Sequence, residues 1–257
     1  MTHPCSVRRG RRPIIRLGPR SRHPAPGSPA SRKPFATRPA RAGLGCRRTA
    51  LSPGRGVLNT DLVPIAQRKG DPKIFKTDET PRRQTTIEKL AKLKAVYPDG
   101  VCTAGNSSTE SDGAAVVVLM SESKATALGI APLAYFKSCA IASTDPTLTY
   151  PAVPMSVEKA LSKADITIDQ IDLIEIQEAF AVQALADARL MGIQPEDMQK
   201  KVNVNGSGIS LGHPIAATGT MRLVTLVHEM ERRDARFGLE TICGGGGQGI
   251  CAIVERR

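Results

Sequence analysis

The chain has no tryptophan, and its 257 residues include only three tyrosines and five phenylalanines. A folded core must therefore be aliphatic, built from Val, Ile, Leu and Ala. No stretch reaches the ~18 consecutive apolar residues that a membrane helix needs. No short apolar run follows the N-terminal charges in the manner of a secretory signal. The six cysteines contain no Cys-x-x-Cys pair, and the four histidines show no zinc-like spacing with them. No metal site is expected, and a reducing, cytoplasmic setting is the default.

Acidic residues are missing altogether from residues 1–60, which hold 14 of the 36 Lys+Arg. Residues 61–257 then carry 36 − 14 = 22 basic against 24 acidic residues, a net of −2. The +12 total belongs to the first segment, which argues against a nucleic-acid face on the folded part. Residues 1–60 also contain nine of the nineteen prolines and few large apolar side chains. Such a segment buries too little surface to offset chain entropy and is expected to be disordered. A mitochondrial or other organelle transit peptide fits its composition, though the prolines interrupt any amphipathic helix. A nucleic-acid or anionic-membrane arm fits the charge alone. A misassigned start or shifted frame also gives Arg-, Pro-, Gly- and Ala-rich sequence, and is the favoured reading.

From Asp61 onward the chain is long enough for one core, burying typically ~70% of the unfolded surface. Thr85-Thr86-Ile87-Glu88 has capping-box spacing ahead of a short helix. Ala114–Met120 is a β-branched apolar run and reads as a buried strand. A helix from Glu122 should stop at Gly129, and Leu133–Ala142 reads as a strand. Ser156 is expected as an N-cap, with Val157, Ala160, Leu161 and Ala164 on one face. Ile171–Ile176 reads as a strand, Glu178–Met191 as a helix and Val202–Asn205 as a short strand. A helix follows Pro214 toward Arg233, and strands at Leu239–Cys243 and Ile250–Val254 flank a glycine run. The alternation predicts an α/β layered domain ending in a hairpin.

Chemistry concentrates in three places. Asn205-Gly-Ser-Gly-Ile-Ser-Leu-Gly-His213-Pro214 sets a histidine in a glycine-rich turn, where it can exchange a proton near neutral pH. Cys243 precedes Gly244–Gly247, where backbone amides can stabilise a thiolate or an oxyanion. Glu175-Ile-Gln177-Glu-Ala-Phe180-Ala lies upstream of both. The blander readings are a hydrogen-bonded loop histidine, a buried small hydrophobe and a core aromatic. Gly244-x-Gly246-x-x-Gly249 matches a dinucleotide fingerprint only formally, because no helix and distal acid follow it.

These motifs, in this order, resemble the C-terminal half of a thiolase, with the likeness running from Leu62 to Val254. The resemblance implies a thiolase-like layered α/β fold: a basic arm over 1–60, a remnant of the loop region over 61–111 and a C-terminal domain over 112–257. It implies acyltransfer between acyl-CoA and CoA, by thiolysis of a 3-ketoacyl-CoA or by Claisen condensation, with CoA as substrate and no cofactor. His213 would be base and oxyanion donor, Cys243 the second acid/base, Gln177 a water-orienting amide and Gly245 an oxyanion donor. Ser108, in Thr103-Ala-Gly-Asn-Ser-Ser108, would touch the pantetheine arm, Arg82 the adenosine end, and Phe180 the pocket wall. Gln177 stands where the family commonly has Asn, Ala216 where it usually has Gly, and Thr109-Glu110-Ser111 replaces a Gly-hydrophobic-Asn stretch.

The family's nucleophilic cysteine, in a Cys-[small]-Ser-Gly turn, has no counterpart at Cys5, Cys46, Cys102 or Cys139. The chain alone is therefore expected to be inactive, as an incomplete thiolase that forms homo-oligomers or joins a thiolase N-terminal half. A non-catalytic acyl-CoA-binding or assembly subunit is the alternative.

Overall fold

The computed structural model describes residues 65–66, 74–75, 80–82, 84–148 and 151–257. Expectations for the basic segment 1–60 lie outside them. Leu119–Pro132 falls in one compact unit, and the other described residues fall in a second. The described element of the first is helix α2 (Glu122–Ala127), which starts where the Ser121 hydroxyl accepts the Lys124 N–H. It ends as expected at Gly129, whose φ of +65° suits glycine.

The other unit opens with a two-residue ladder, β1 (Ile65–Ala66) against β2 (Ile74–Phe75). Helix α1 (Ile87–Ala91) follows. The cap falls one residue later than the sequence indicates: the Thr86 hydroxyl accepts the Lys89 N–H, so Glu88 lies in the first turn rather than closing a capping box. Next come β3 (Tyr135–Ser143), α3 (Ala152–Ala164), β4 (Leu173–Ile176), α4 (Ala181–Leu190), α5 (Pro195–Lys201), α6 (Gly208–Leu211), α7 (Thr218–Arg233), β5 (Phe237–Gly244) and β6 (Gln248–Glu255).

Four strands form one mixed sheet in the order β3-β6-β5-β4. β5 and β6 are the expected hairpin, β3 runs antiparallel to β6, and β4 runs parallel to β5. Helices cover both faces. Val157, Ala160, Ala184 and Ala188, from α3 and α4, join Ile174, Ile176, Leu239 and Ile253 in one aliphatic cluster. Leu226 and Met230 of α7 meet Leu173 and Val254 in a second. Glycine at 238 permits the close approach of α7: a methyl there would stand 3.0 Å from the Leu226 side chain and collide with Met230. The aliphatic core follows from the composition, because small and branched side chains let helices sit close to the sheet.

Several expectations need correction. Ala114–Met120 forms no strand, and Val116 and Val118 are 84% and 78% exposed. β-propensity needs a ladder partner, and none exists for this run among the described residues. Ser156 is not an N-cap. α3 begins at Ala152, and Ser156 lies buried inside it with its hydroxyl donating to the Val153 carbonyl at 2.7 Å. Pro154 falls in the first turn, where the missing N–H costs nothing, so the proline did not delay the helix. α4 begins at Ala181 rather than Glu178, because 179–181 bond back to residues 106–108. Val202–Asn205 is a turn with one parallel bridge from Val202 to Ile174, not a strand. α5 and α6 lie where the sequence pattern indicates no helix.

Candidate active site

The end of β4 is clamped to the glycine-rich loop. Asn203, at φ +47°, accepts the Ile176 N–H at 2.7 Å and donates to the Ile176 carbonyl at 2.9 Å. The Ser207 hydroxyl donates to the same carbonyl at 2.8 Å. This double clamp carries the chain from β4 straight into Gln177, whose N–H donates to the Thr241 carbonyl on β5 at 3.0 Å. Gln177 is 1% exposed, and neither end of its amide has a hydrogen-bond partner. Gly208 leaves the room it occupies: any Cβ there would collide with the amide and stand 2.8 Å from the Glu178 carbonyl oxygen. Two residues along β5 from Thr241 is Cys243.

His213 is half-buried, and its Nδ1 lies 2.7 Å from the Thr218 hydroxyl at the start of α7. That hydroxyl also donates to the Pro214 carbonyl at 3.1 Å. With its proton committed there, the hydroxyl oxygen accepts from the ring, which favours Nδ1–H and frees Nε2 as a base. The backbone is held too, the His213 N–H donating to the Thr109 carbonyl at 2.8 Å. A cleft of about 400 Å³ opens beside the ring, lined by Glu110, Ser111, Asp112, His213 and Ile215. Burial, aided by the Arg222 charge, lowers the His213 pKa and keeps the imidazole neutral. Burial and the nearby Asp187 raise the Cys243 pKa, so the thiol is the resting form.

The glycine run is a tight hairpin turn. Gly246 and Gly247 sit at φ +79° and +77°, and a Cβ on Gly247 would stand 2.7 Å from the Thr144 and Asp145 carbonyl oxygens. Gly245, by contrast, is exposed, with open space around it.

Gln177 follows the end of β4 and bonds to Thr241 on β5, the strand that carries Cys243 and leads into Gly245. The structure brings Ser108 and Phe180 together as well: the Ser108 N–H donates to the Ala179 carbonyl at 2.9 Å, and Ser107 bridges to Phe180. His213 and Cys243 share no hydrogen bond: the His213 ring meets Thr218, and Cys243 lies on β5. Arg82 is exposed, and no contact ties its side chain to the others. Among the described residues no group of His, Cys, Asp and Glu is arranged to hold a metal, and no helix is long and apolar enough to cross a membrane. Sequence reasoning missed Asn203, Ser207, Thr218 and Arg222. Only Asn203 had a local signal, since asparagine tolerates the left-handed region better than most residues.

An α/β domain with a mixed sheet and helices on both faces is the class this architecture defines. Residues 130–256 match the family described as "Thiolase, C-terminal domain", and residues 46–123 match "Thiolase, N-terminal domain". The chain belongs to the thiolase family. The N-terminal-domain match begins inside the segment whose composition reads as an arm. An acetyl-CoA acetyltransferase of Pseudomonas aeruginosa is 50% identical over 208 residues, covering 80% of this chain and 52% of the relative. The solved acetyl-CoA acetyltransferase of Bacillus anthracis superposes with a TM-score of 0.78 at 38% identity, over 85% of this chain and 56% of that one. The human mitochondrial 3-ketoacyl-CoA thiolase gives a TM-score of 0.74 at 33% identity, over 83% and 54%. The chain spans about half the length of the relatives it matches.

Proposed function

We propose that this chain supplies the proton-transfer part of a thiolase-type acyltransferase site acting on acyl-CoA thioesters. One observation carries the reading. The unpartnered, buried amide of Gln177 lies under the glycine-rich turn that leads to His213, and its backbone is bonded to β5, the strand that carries Cys243. In this reading neutral His213 accepts the proton of an attacking thiol, and the Gln177 amide orients a water or carbonyl oxygen. Cys243 rests as a thiol, so it is set to protonate the enolate released when a 3-ketoacyl-CoA is cleaved. Condensation runs the same step backward and first requires loss of the Cys243 proton. The Gly245 amide, with His213, stabilises the thioester oxyanion. Ser108 and Phe180 face the acyl-CoA, and Arg82 its adenosine end. We place this chemistry in the cytoplasm and assign the acyl-carrying nucleophile to a thiolase N-terminal half packed on this one.

The test is CoA-dependent cleavage of a 3-ketoacyl-CoA, with and without the separately expressed N-terminal half of the Pseudomonas aeruginosa relative. The chain alone should give no turnover, and the mixture should give turnover that His213→Ala and Cys243→Ser each abolish. Turnover that survives both substitutions would show that the site assignment is wrong. Stable acyl-CoA binding without turnover in the mixture would favour a binding or assembly subunit instead.

A further inference from the structure

We propose that Arg222 is a positioning residue for His213: its buried cation, carried on α7 one turn after Thr218, holds the head of the loop that leads to the histidine and sets the field around the ring. The proposal rests on the reading of His213 as the proton-transfer group. Arg222 is 2% exposed and lies one helical turn after Thr218, the residue that holds the His213 ring. Its Nη1 reaches toward the Gly206 carbonyl at 3.4 Å, at the head of the string that ends in His213. Nε and Nη2 have no hydrogen-bond partner.

Glu175 and Glu240 are register partners in the parallel ladder, and both are buried. Arg222 favours their ionised forms, but burial outweighs it and raises both carboxyls to about 8, so near neutral pH the charge of the cation is largely uncompensated. The first turn of α7 rests directly on this pair, since a Cβ at Gly219 would stand 3.5 Å from Glu240 Oε1. The same cation opposes protonation of His213, second only to burial. Glu110 and Asp112 line the cleft beside the ring from the loop before it. Arg222 therefore fixes the turn and keeps the imidazole in its proton-accepting form.

Labelling of the full chain with diethyl pyrocarbonate, which acylates neutral imidazole, tests this from about pH 5 to about pH 8. Peptide mass spectrometry reads His213 separately from His228, which is exposed on α7 and serves as internal control. Arg222→Met should raise the His213 midpoint by roughly half a pH unit or more and leave His228 unchanged. Arg222→Lys, which keeps the charge, should hold the His213 midpoint near that of the parent. An unchanged midpoint in Arg222→Met, or one raised equally in Arg222→Lys, overturns the proposal. Should Arg222→Met not fold, Arg222→Gln, which removes the charge and keeps a polar side chain, is read in its place: the His213 midpoint should rise by a similar amount, and an unchanged midpoint overturns the proposal. The label needs no turnover, so failure here and failure of the acyltransfer reading appear in different experiments.

Discussion

Residues 114–118 and 173–176 make an instructive pair. The first, Ala-Ala-Val-Val-Val, is wholly apolar and ends in three β-branched residues; the second, Leu-Ile-Glu-Ile, carries a carboxyl at its third position. Yet the first is open chain exposed to solvent, and the second is a fully buried strand. Composition would rank them the other way. What separates them is partners. β4 has β5 along one edge and the Val202–Asn203 clamp along the other, so its backbone groups are satisfied on both sides. Apolar content makes a segment able to form a strand; a neighbouring ladder makes it one.

The buried carboxyls of β4 and its neighbour β5 offer the most severe test of that contrast. Burial raises the Glu175 pKa, and burial together with Glu175 raises Glu240 to about 8. In the unfolded chain the Glu240 carboxyl titrates near 4.5. Between these values the folded chain holds a proton that the unfolded chain has lost, so stability present below 4.5 is lost as pH rises toward about 8. Glu240→Gln should remove that part of the slope. The variant should unfold much like the parent near pH 5 and gain stability near pH 9, by up to about 4 kcal/mol. Urea unfolding at the two pH values measures it. An equal effect at both would mean that the carboxyl is ionised throughout.

Next in size is the seam between α3 and β6. A Cβ at Gly249 would stand 2.7 Å from the Val153 nitrogen and collide with the Ala152 backbone, which cannot move as a side-chain tip can. Gly249→Ala should therefore cost about 3 kcal/mol in urea unfolding. A loss below about 1 kcal/mol would mean that α3 shifts freely on the sheet. Asn203→Ala should cost about 2 kcal/mol, because it deletes two hydrogen bonds and leaves the Ile176 N–H buried without its acceptor. Asn203→Asp, which keeps the acceptor, should recover part of the loss. If it recovers none, the left-handed backbone rather than the clamp sets the value.

This contrast also marks what could be read from the sequence. The hairpin of β5 and β6, the stop at Gly129 and the helix toward Arg233 were legible, because turn glycines and helical periodicity are local signals. His213, Cys243 and Gln177 stood out because rare residue types sit beside glycine. The clamp from Asn203 to Ile176 was not legible, since it joins residues 27 apart in sequence. Nor was Arg222. In the sequence it is one more arginine on an amphipathic helix, and only the fold shows Glu175 and Glu240 beneath it. Periodicity tells which face of a helix is apolar, but not that a cation lies on it.

The smallest effect on stability belongs to the open run, and that smallness is the point. Val116 and Val118 are exposed, so exchanging both for lysine removes no packing. Val116→Lys with Val118→Lys should change unfolding free energy by no more than about 0.5 kcal/mol, as surface substitutions generally do. The same double change in β4, at Ile174 and Ile176, would bury two charges and prevent folding. Association should respond in the opposite sense. An apolar β-branched run left open is a template for pairing with another chain, and lysines discourage it. The lysine variant should bind less hydrophobic dye and sediment with less self-association at micromolar concentration than the parent. It should also pair less well with a thiolase N-terminal half, if that half is what the run meets. A variant that loses several kcal/mol instead would place Val116 and Val118 against the folded core, and the contrast between the two segments would then be one of degree.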